Sequence, residues 1–151
     1  MTIHQWVLTL LLMFAALSAR AGSIDQDDWS GQCEPGSLCF VQMKGDGPRL
    51  LAGWHPQEQR IRIGALVPVA VGTGQPVTVW LDDGVSIYLV TGVCTQQFCE
   101  AMVRPDLAAP TAEAFRNARG GVLAYVDGGR VRITEISLIG FGRAYDALQA
   151  R

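Results

Sequence analysis

Short apolar runs broken every few residues by glycine-bearing turns constrain this chain more than any other feature. Val77–Leu81 and Val85–Thr91 flank Asp82-Asp83-Gly84, and Gly121–Val126 and Arg130–Leu138 flank Asp127-Gly128-Gly129. Asp-Gly between two apolar runs is a strong hairpin signal, because glycine supplies the positive φ that two-residue turns need. Trp29–Cys33 and Leu38–Met43 flank Glu34-Pro35-Gly36-Ser37, where the central Pro-Gly favours a type II turn. Leu50–Trp54 is a further short run, and Arg60-Ile61-Arg62-Ile63 alternates as a strand with one wet face does. Ala65–Val71 is continuously apolar but contains Pro68, which predicts an edge strand or a bulge. Val93–Val103 forms another β segment. In the last run, Val131 and Ile133 share one face while Ile136 and Leu138 take the other, a parity change that predicts a β-bulge near Thr134.

Two stretches carry helical signals instead. Thr111–Arg119 offers Thr111 as N-cap and Gly120 as stop, and Gly142–Ala150 places Tyr145 and Leu148 on one face. Seven to nine short strands with turns every 8–12 residues predict an all-β fold, an antiparallel β-sandwich with two short helices. No repeat, linker or low-complexity tract divides the chain. Residues 29–151 therefore read as one domain and Gly22–Asp28, short and acidic, as a flexible lead.

Upstream of that lead, Val7–Leu17 is an unbroken apolar run, shorter than the roughly 20 residues a membrane-spanning helix needs. Ala19-Arg20-Ala21 follows with the A-x-A form of a signal-peptidase site, so residues 1–21 are expected to be a cleaved signal peptide. No cysteine follows the run to accept a lipid, and no stable membrane insertion is expected after cleavage. Loss of Arg20 leaves 11 basic residues against 14 acidic ones, a net charge of −3. That balance argues against nucleic acid as a partner.

Cys33, Cys39, Cys94 and Cys99 all follow the cleavage site. An even count in an exported chain reads as disulfides, since the destination is oxidising. Three pairings are possible, and the spacing favours the local ones, Cys33–Cys39 and Cys94–Cys99. Neither spacing supplies the C-x-x-C of a redox site or the C-x-x-C-H of covalent haem. Close zinc-type cysteine pairs held as free thiolates do not suit an exported chain.

Catalytic groups are sparse. His55, between Trp54 and Pro56, is the one histidine beyond the leader, and G-x-S-x-G is absent. Asp82 and Asp83 fit a turn before Gly84 better than a metal site. Gly72-Thr73-Gly74-Gln75-Pro76 lacks the lysine and helix of a phosphate loop. Trp29, Trp54, Trp80 and Tyr88 could line a groove, but aromatic residues in short strands are usually core. No catalytic residue, cofactor or metal site is assigned, and an enzyme is not expected.

The assembled pattern resembles the invasion-associated locus B family of exported Gram-negative bacterial proteins. Asp28-Trp29-x3-Cys33 is similar to its opening motif, Leu66-Val67-Pro68 to its Leu-x-Pro strand, and Cys94-x4-Cys99-x-Ala101 to its second cysteine pair. Ser137-Leu138-x-Gly140-Phe141, with Ala144 and Leu148 beyond, is similar to its closing signature and terminal helix. The resemblance implies an immunoglobulin-like β-sandwich in the periplasm, at the outer membrane or secreted. It also implies an association with virulence through host-cell invasion. The expected activity is noncatalytic binding of a protein or cell-surface partner. The alternatives are a small-ligand-binding protein or enzyme with an aromatic and acidic groove, and a structural or chaperone-like envelope factor with an uncovered strand edge near Pro68.

Overall fold

A computed structural model describes residues 22–34 and 36–150, so the expected signal peptide lies outside the described residues. Ten antiparallel strands form one continuous sheet. They are β1 (Gly22–Gln26), β2 (Trp29–Cys33), β3 (Cys39–Met43), β4 (Arg49–His55), β5 (Arg60–Pro68), β6 (Pro76–Leu81), β7 (Ser86–Cys94), β8 (Phe98–Met102), β9 (Gly120–Asp127) and β10 (Arg130–Ser137). Among the described residues there are also two α-helices, α1 (Ala108–Asn117) and α2 (Phe141–Gln149). The all-β antiparallel class with two short helices is the observed one.

Strand order is β1-β2-β3-β4-β5-β8-β7-β6-β9-β10. Trp29 on β2 nevertheless donates its indole N–H to the Ser137 carbonyl at the end of β10, 3.2 Å away. Eight strand spacings of about 4.8 Å would separate these strands by about 38 Å in a flat sheet. The sheet therefore curls until its ends meet, and a single sheet supplies both walls around the core. That core runs through every strand and both helices, with Trp29, Phe115 and Phe141 its largest fully buried side chains.

Both helices enter the core by the same spacing. In α1 the buried residues are Ala108, Thr111, Ala112 and Phe115, and in α2 they are Phe141, Ala144, Tyr145 and Leu148. Each set follows i, i+3, i+4, i+7, the stripe of a helix with one apolar face. Phe141 is the hub, meeting the rings of Trp29 at 5.0 Å, Phe115 at 5.4 Å and Tyr145 at 5.5 Å. Arg116 joins the helices from outside, ion-paired to Asp146 and lying over the Tyr145 ring.

Several expectations are corrected. Residues 22–26 are not a flexible lead: they form β1, whose Ile24 is buried and whose five residues pair with β2. The acidic flanks hid a strand with a single inward apolar residue. Pro68 does not mark an edge, because β5 lies between β4 and β8, and the proline closes the strand before a 3₁₀ turn at Val69–Val71. No bulge occurs at Thr134, since β10 pairs with β9 in unbroken register from Arg130 to Ser137. A register shift does occur between Thr91 and Cys94 on β7. Thr111 caps nothing; α1 starts three residues earlier and Thr111 is buried on its inner stripe.

A candidate interaction surface

The residues weighed as candidates for chemistry make local structural contacts. His55 Nδ1 accepts the Glu58 N–H at 3.3 Å, closing the β4–β5 turn. Asp83 accepts the Val85 N–H at 3.1 Å within the β6–β7 turn, and Asp82 accepts the Arg119 N–H, tying that turn to the start of β9. Thr91, a buried polar residue, donates to the Gly72 carbonyl at 2.6 Å and accepts the Gln75 N–H at 2.8 Å. That hydroxyl holds the Gly72–Gln75 loop shut. Among the described residues, no three His, Cys, Asp or Glu side chains gather in a metal-binding group. Of the residues named for an alternative groove, Trp29 is core, Trp80 and Tyr88 are exposed, and Asp82 and Asp83 accept backbone N–H groups.

The cysteines pair Cys33–Cys39 and Cys94–Cys99, as the spacing favoured. The first bridges the β2–β3 hairpin. The second joins residues directly opposite each other on β7 and β8. Each closes one hairpin, so neither ties distant parts of the chain together.

Trp29, Ser137, Leu138, Gly140 and Phe141 converge where the sheet's ends meet. Beside the indole contact, the Ser137 hydroxyl donates to the Asp28 carboxylate and the Asp28 N–H donates to the Ile139 carbonyl. Gly140 has φ +89°, and a Cβ there would strike the Gln26 carbonyl and the Asp27 side chain. Only glycine suits that approach. Leu138 and Phe141 are buried behind it. This group is a fastening, in which the Asp28 carboxylate and the Ser137 hydroxyl engage each other.

What the molecule does present is apolar. On β6, Val77, Val79 and Leu81 point inward and Trp80 points out; on β7, Ile87 and Leu89 point inward and Tyr88 and Val90 point out. Register places Thr78 between Tyr88 and Ala124, and Ala124 beside Ile133. A second row sets Ser86, Trp80, Val122 and Glu135 side by side, while Pro76 lies beside Val90 and Val126 beside Val131. Tyr88 is 71% exposed, Ile133 61% and Trp80 45%. Ala124 is covered although it lies outside the core cluster, as expected of a small residue flanked by large ones on the same outer face. The expectation that Trp80 and Tyr88 are core is thus overturned, while Trp29 is buried and Trp54 is partly buried against the core.

This face continues into a shallow groove between β7 and α1, about 220 Å³ in volume, whose lining includes Val85, Tyr88, Leu107, Pro110 and Ala114. Contiguous apolar surface of this kind marks interaction sites in soluble domains. Sequence reasoning missed it because Trp80 sits between Val79 and Leu81. An apolar residue on each face erases the alternation that assigns faces.

Fold and surface together define a disulfide-stapled, all-β protein with an open apolar face. Comparison with family models gives a match to the invasion-associated locus B protein over residues 47–149, most of the chain. The protein belongs to the invasion-associated locus B family. The matched span includes the second cysteine pair and the closing signature, while Trp29 and the Cys33–Cys39 pair precede it. No curated protein and no solved structure matches the chain.

Proposed function

We propose that this protein is an exported, noncatalytic envelope or secreted protein that works by binding another protein or a cell surface. The outer face of β7-β6-β9-β10 is its working surface, and host-cell entry is the process the family name points to. The observation that carries the reading is the side-by-side exposure of Trp80, Tyr88, Val90, Val131 and Ile133 on neighbouring strands. Keeping so much apolar surface wet opposes solubility, and a partner that covers it gives that surface a use. Two local disulfides suit an oxidising compartment and support a location in the periplasm, at the outer membrane or outside the cell.

The test is photocrosslinking in the native envelope, with a photoreactive residue placed at Tyr88 and, as a control, at Arg104 on the exposed approach to α1. A discrete adduct is expected from position 88 alone, and Val90→Ser should remove it while leaving the unfolding midpoint unchanged. Adducts of equal yield from both positions would show that this face is not the binding surface.

A further inference from the structure

The β9–β10 hairpin carries more information than its apolar side chains. Gly128 and Gly129 both have positive φ, +57° and +75°, and Asp127 lies directly opposite Arg130. This is a two-residue loop of the I′ type, in which the flanking pair exchanges hydrogen bonds and the pairs then alternate along the ladder. Arg130, Arg132, Thr134 and Ile136 therefore bond to β9. Val131, Ile133 and Glu135 direct their N–H and C=O groups away from it. Among the described residues no strand lies on that side, since β10 ends the sheet. Three residues thus present unpaired backbone groups on a long, open edge, the arrangement that accepts an added strand.

Side chains then restrict which strand fits. Val131 and Ile133 project from one face of β10, and Arg130 and Arg132 from the other, all four exposed. Among the described residues neither arginine forms an ion pair, unlike Arg60, Arg62, Arg104, Arg116 and Arg143. A second copy of the chain is a poor match. The antiparallel self-pairing that sets Val131 against Ile133 also sets Arg132 against Arg132. The register centred on Ile133 sets Val131 against Glu135 and Arg130 against Ile136, and leaves both arginines without an acid. Like charges directly opposite destabilise a strand pair, whereas opposite charges support it.

We propose that β10 accepts an extended segment of a partner protein in which acidic and apolar residues alternate, the acids facing Arg130 and Arg132 and the apolar residues facing Val131 and Ile133. This deepens the binding reading above and rests on it. The net negative charge of the chain is no obstacle, because two unpaired arginines make this edge locally basic and contacts are screened beyond about 8–10 Å at ordinary salt.

The probe is a labelled, end-blocked peptide, Lys-Thr-Val-Glu-Val-Glu, laid antiparallel so that its lysine meets Glu135 and its glutamates meet Arg132 and Arg130. Anisotropy titration of the oxidised protein should show saturable binding. Replacing both peptide glutamates by lysine should weaken it at least about ten-fold, as should Arg130→Glu with Arg132→Glu in the protein. Combining the reversed peptide with the reversed protein should restore it. Ile133→Pro removes one outward N–H while sparing the β9 ladder and should also abolish binding. Equal binding of the acidic and basic peptides, or no saturable binding of either, overturns the proposal. So does dimerisation in sedimentation that the arginine reversals strengthen. These variants leave Tyr88 and Trp80 in place, so crosslinking from position 88 judges the binding reading separately.

Discussion

Trp29 and Trp80 are one residue type in two adjacent-looking sequence contexts, and the structure gives them opposite consequences. Trp29 is fully buried, packs edge-on against Phe141 at 5.0 Å, and donates to the Ser137 carbonyl. Truncating a buried aromatic costs roughly 3–5 kcal/mol through lost transfer energy and the cavity left behind. Trp29→Ala should therefore remove about 4 kcal/mol, a large share of a typical domain's 5–15 kcal/mol. Trp29→Phe keeps a ring but strands the Ser137 carbonyl, which costs about 1–3 kcal/mol. Trp80 is half-exposed on the outer face, so Trp80→Ala should cost about 1 kcal/mol or less. Urea unfolding of the oxidised protein, followed by far-ultraviolet circular dichroism, reads the difference directly. With a slope of about 2 kcal/mol/M, Trp29→Ala should lower the midpoint by about 2 M and Trp80→Ala by about 0.5 M or less. If the two alanine variants unfold within about 0.5 M of each other at equal slope, the curled sheet is not fastened at Trp29 and the argument for its closure fails.

Three other outcomes follow from particular contacts. Removing the Cys94–Cys99 bridge with paired alanines should cost about 2 kcal/mol, the chain-entropy value for so short a loop, and a non-reducing peptide map should recover it as a local pair. Gly64→Ala should destabilise by about 1–3 kcal/mol in thermal unfolding, because its Cβ would lie 2.5 Å from the Ala101 carbonyl oxygen, which belongs to backbone and cannot step aside. Burial raises the Tyr145 phenol above its ordinary range near 10, with Arg116 opposing. A raised folded value means the neutral phenol is favoured in the native state. Its stabilisation is complete below pH about 10 and fades as pH climbs through the raised value. Tyr145→Phe should remove that component of the alkaline stability loss, as read by denaturation at pH 9 and 11.

Much of the fold was legible because turns speak locally. The Asp83-Gly84 and Gly128-Gly129 reversals lie where the residues predict, with glycines at positive φ, and Ser37 donates back to Glu34 at 3.1 Å around Gly36. What stayed hidden depends on tertiary context. β1 has one inward apolar residue, Ile24, and becomes a strand only because β2 and α2 cover it. Pro68 reads as an edge marker, yet it can end a central strand because its missing N–H falls at the last position of the ladder. The parity change in β10 is real in the residues, but its cause is not a bulge. Val131 and Ile133 lie on the outer face of an unbroken strand whose inner face carries Ile136. An apolar residue that looks misplaced in the alternation was the visible trace of the exposed apolar face.

That trace separates two kinds of information in the chain. The residues that resemble the family, Trp29, Ser137, Leu138, Gly140 and Phe141, sit at the closure of the sheet, where substitution acts through stability. Tyr88, Val90, Val131, Ile133, Arg130 and Arg132 touch none of that fastening and lie toward the opposite end of the β9–β10 hairpin or on the strands beside it. Substitutions in the two sets should therefore combine additively in stability, since they share no contact. A related chain could keep the fastening and exchange the outer residues, retaining the fold while changing the strand it accepts. Membership of the family then constrains the scaffold, and on the proposed reading the choice of partner rests with the edge and outer face of β10.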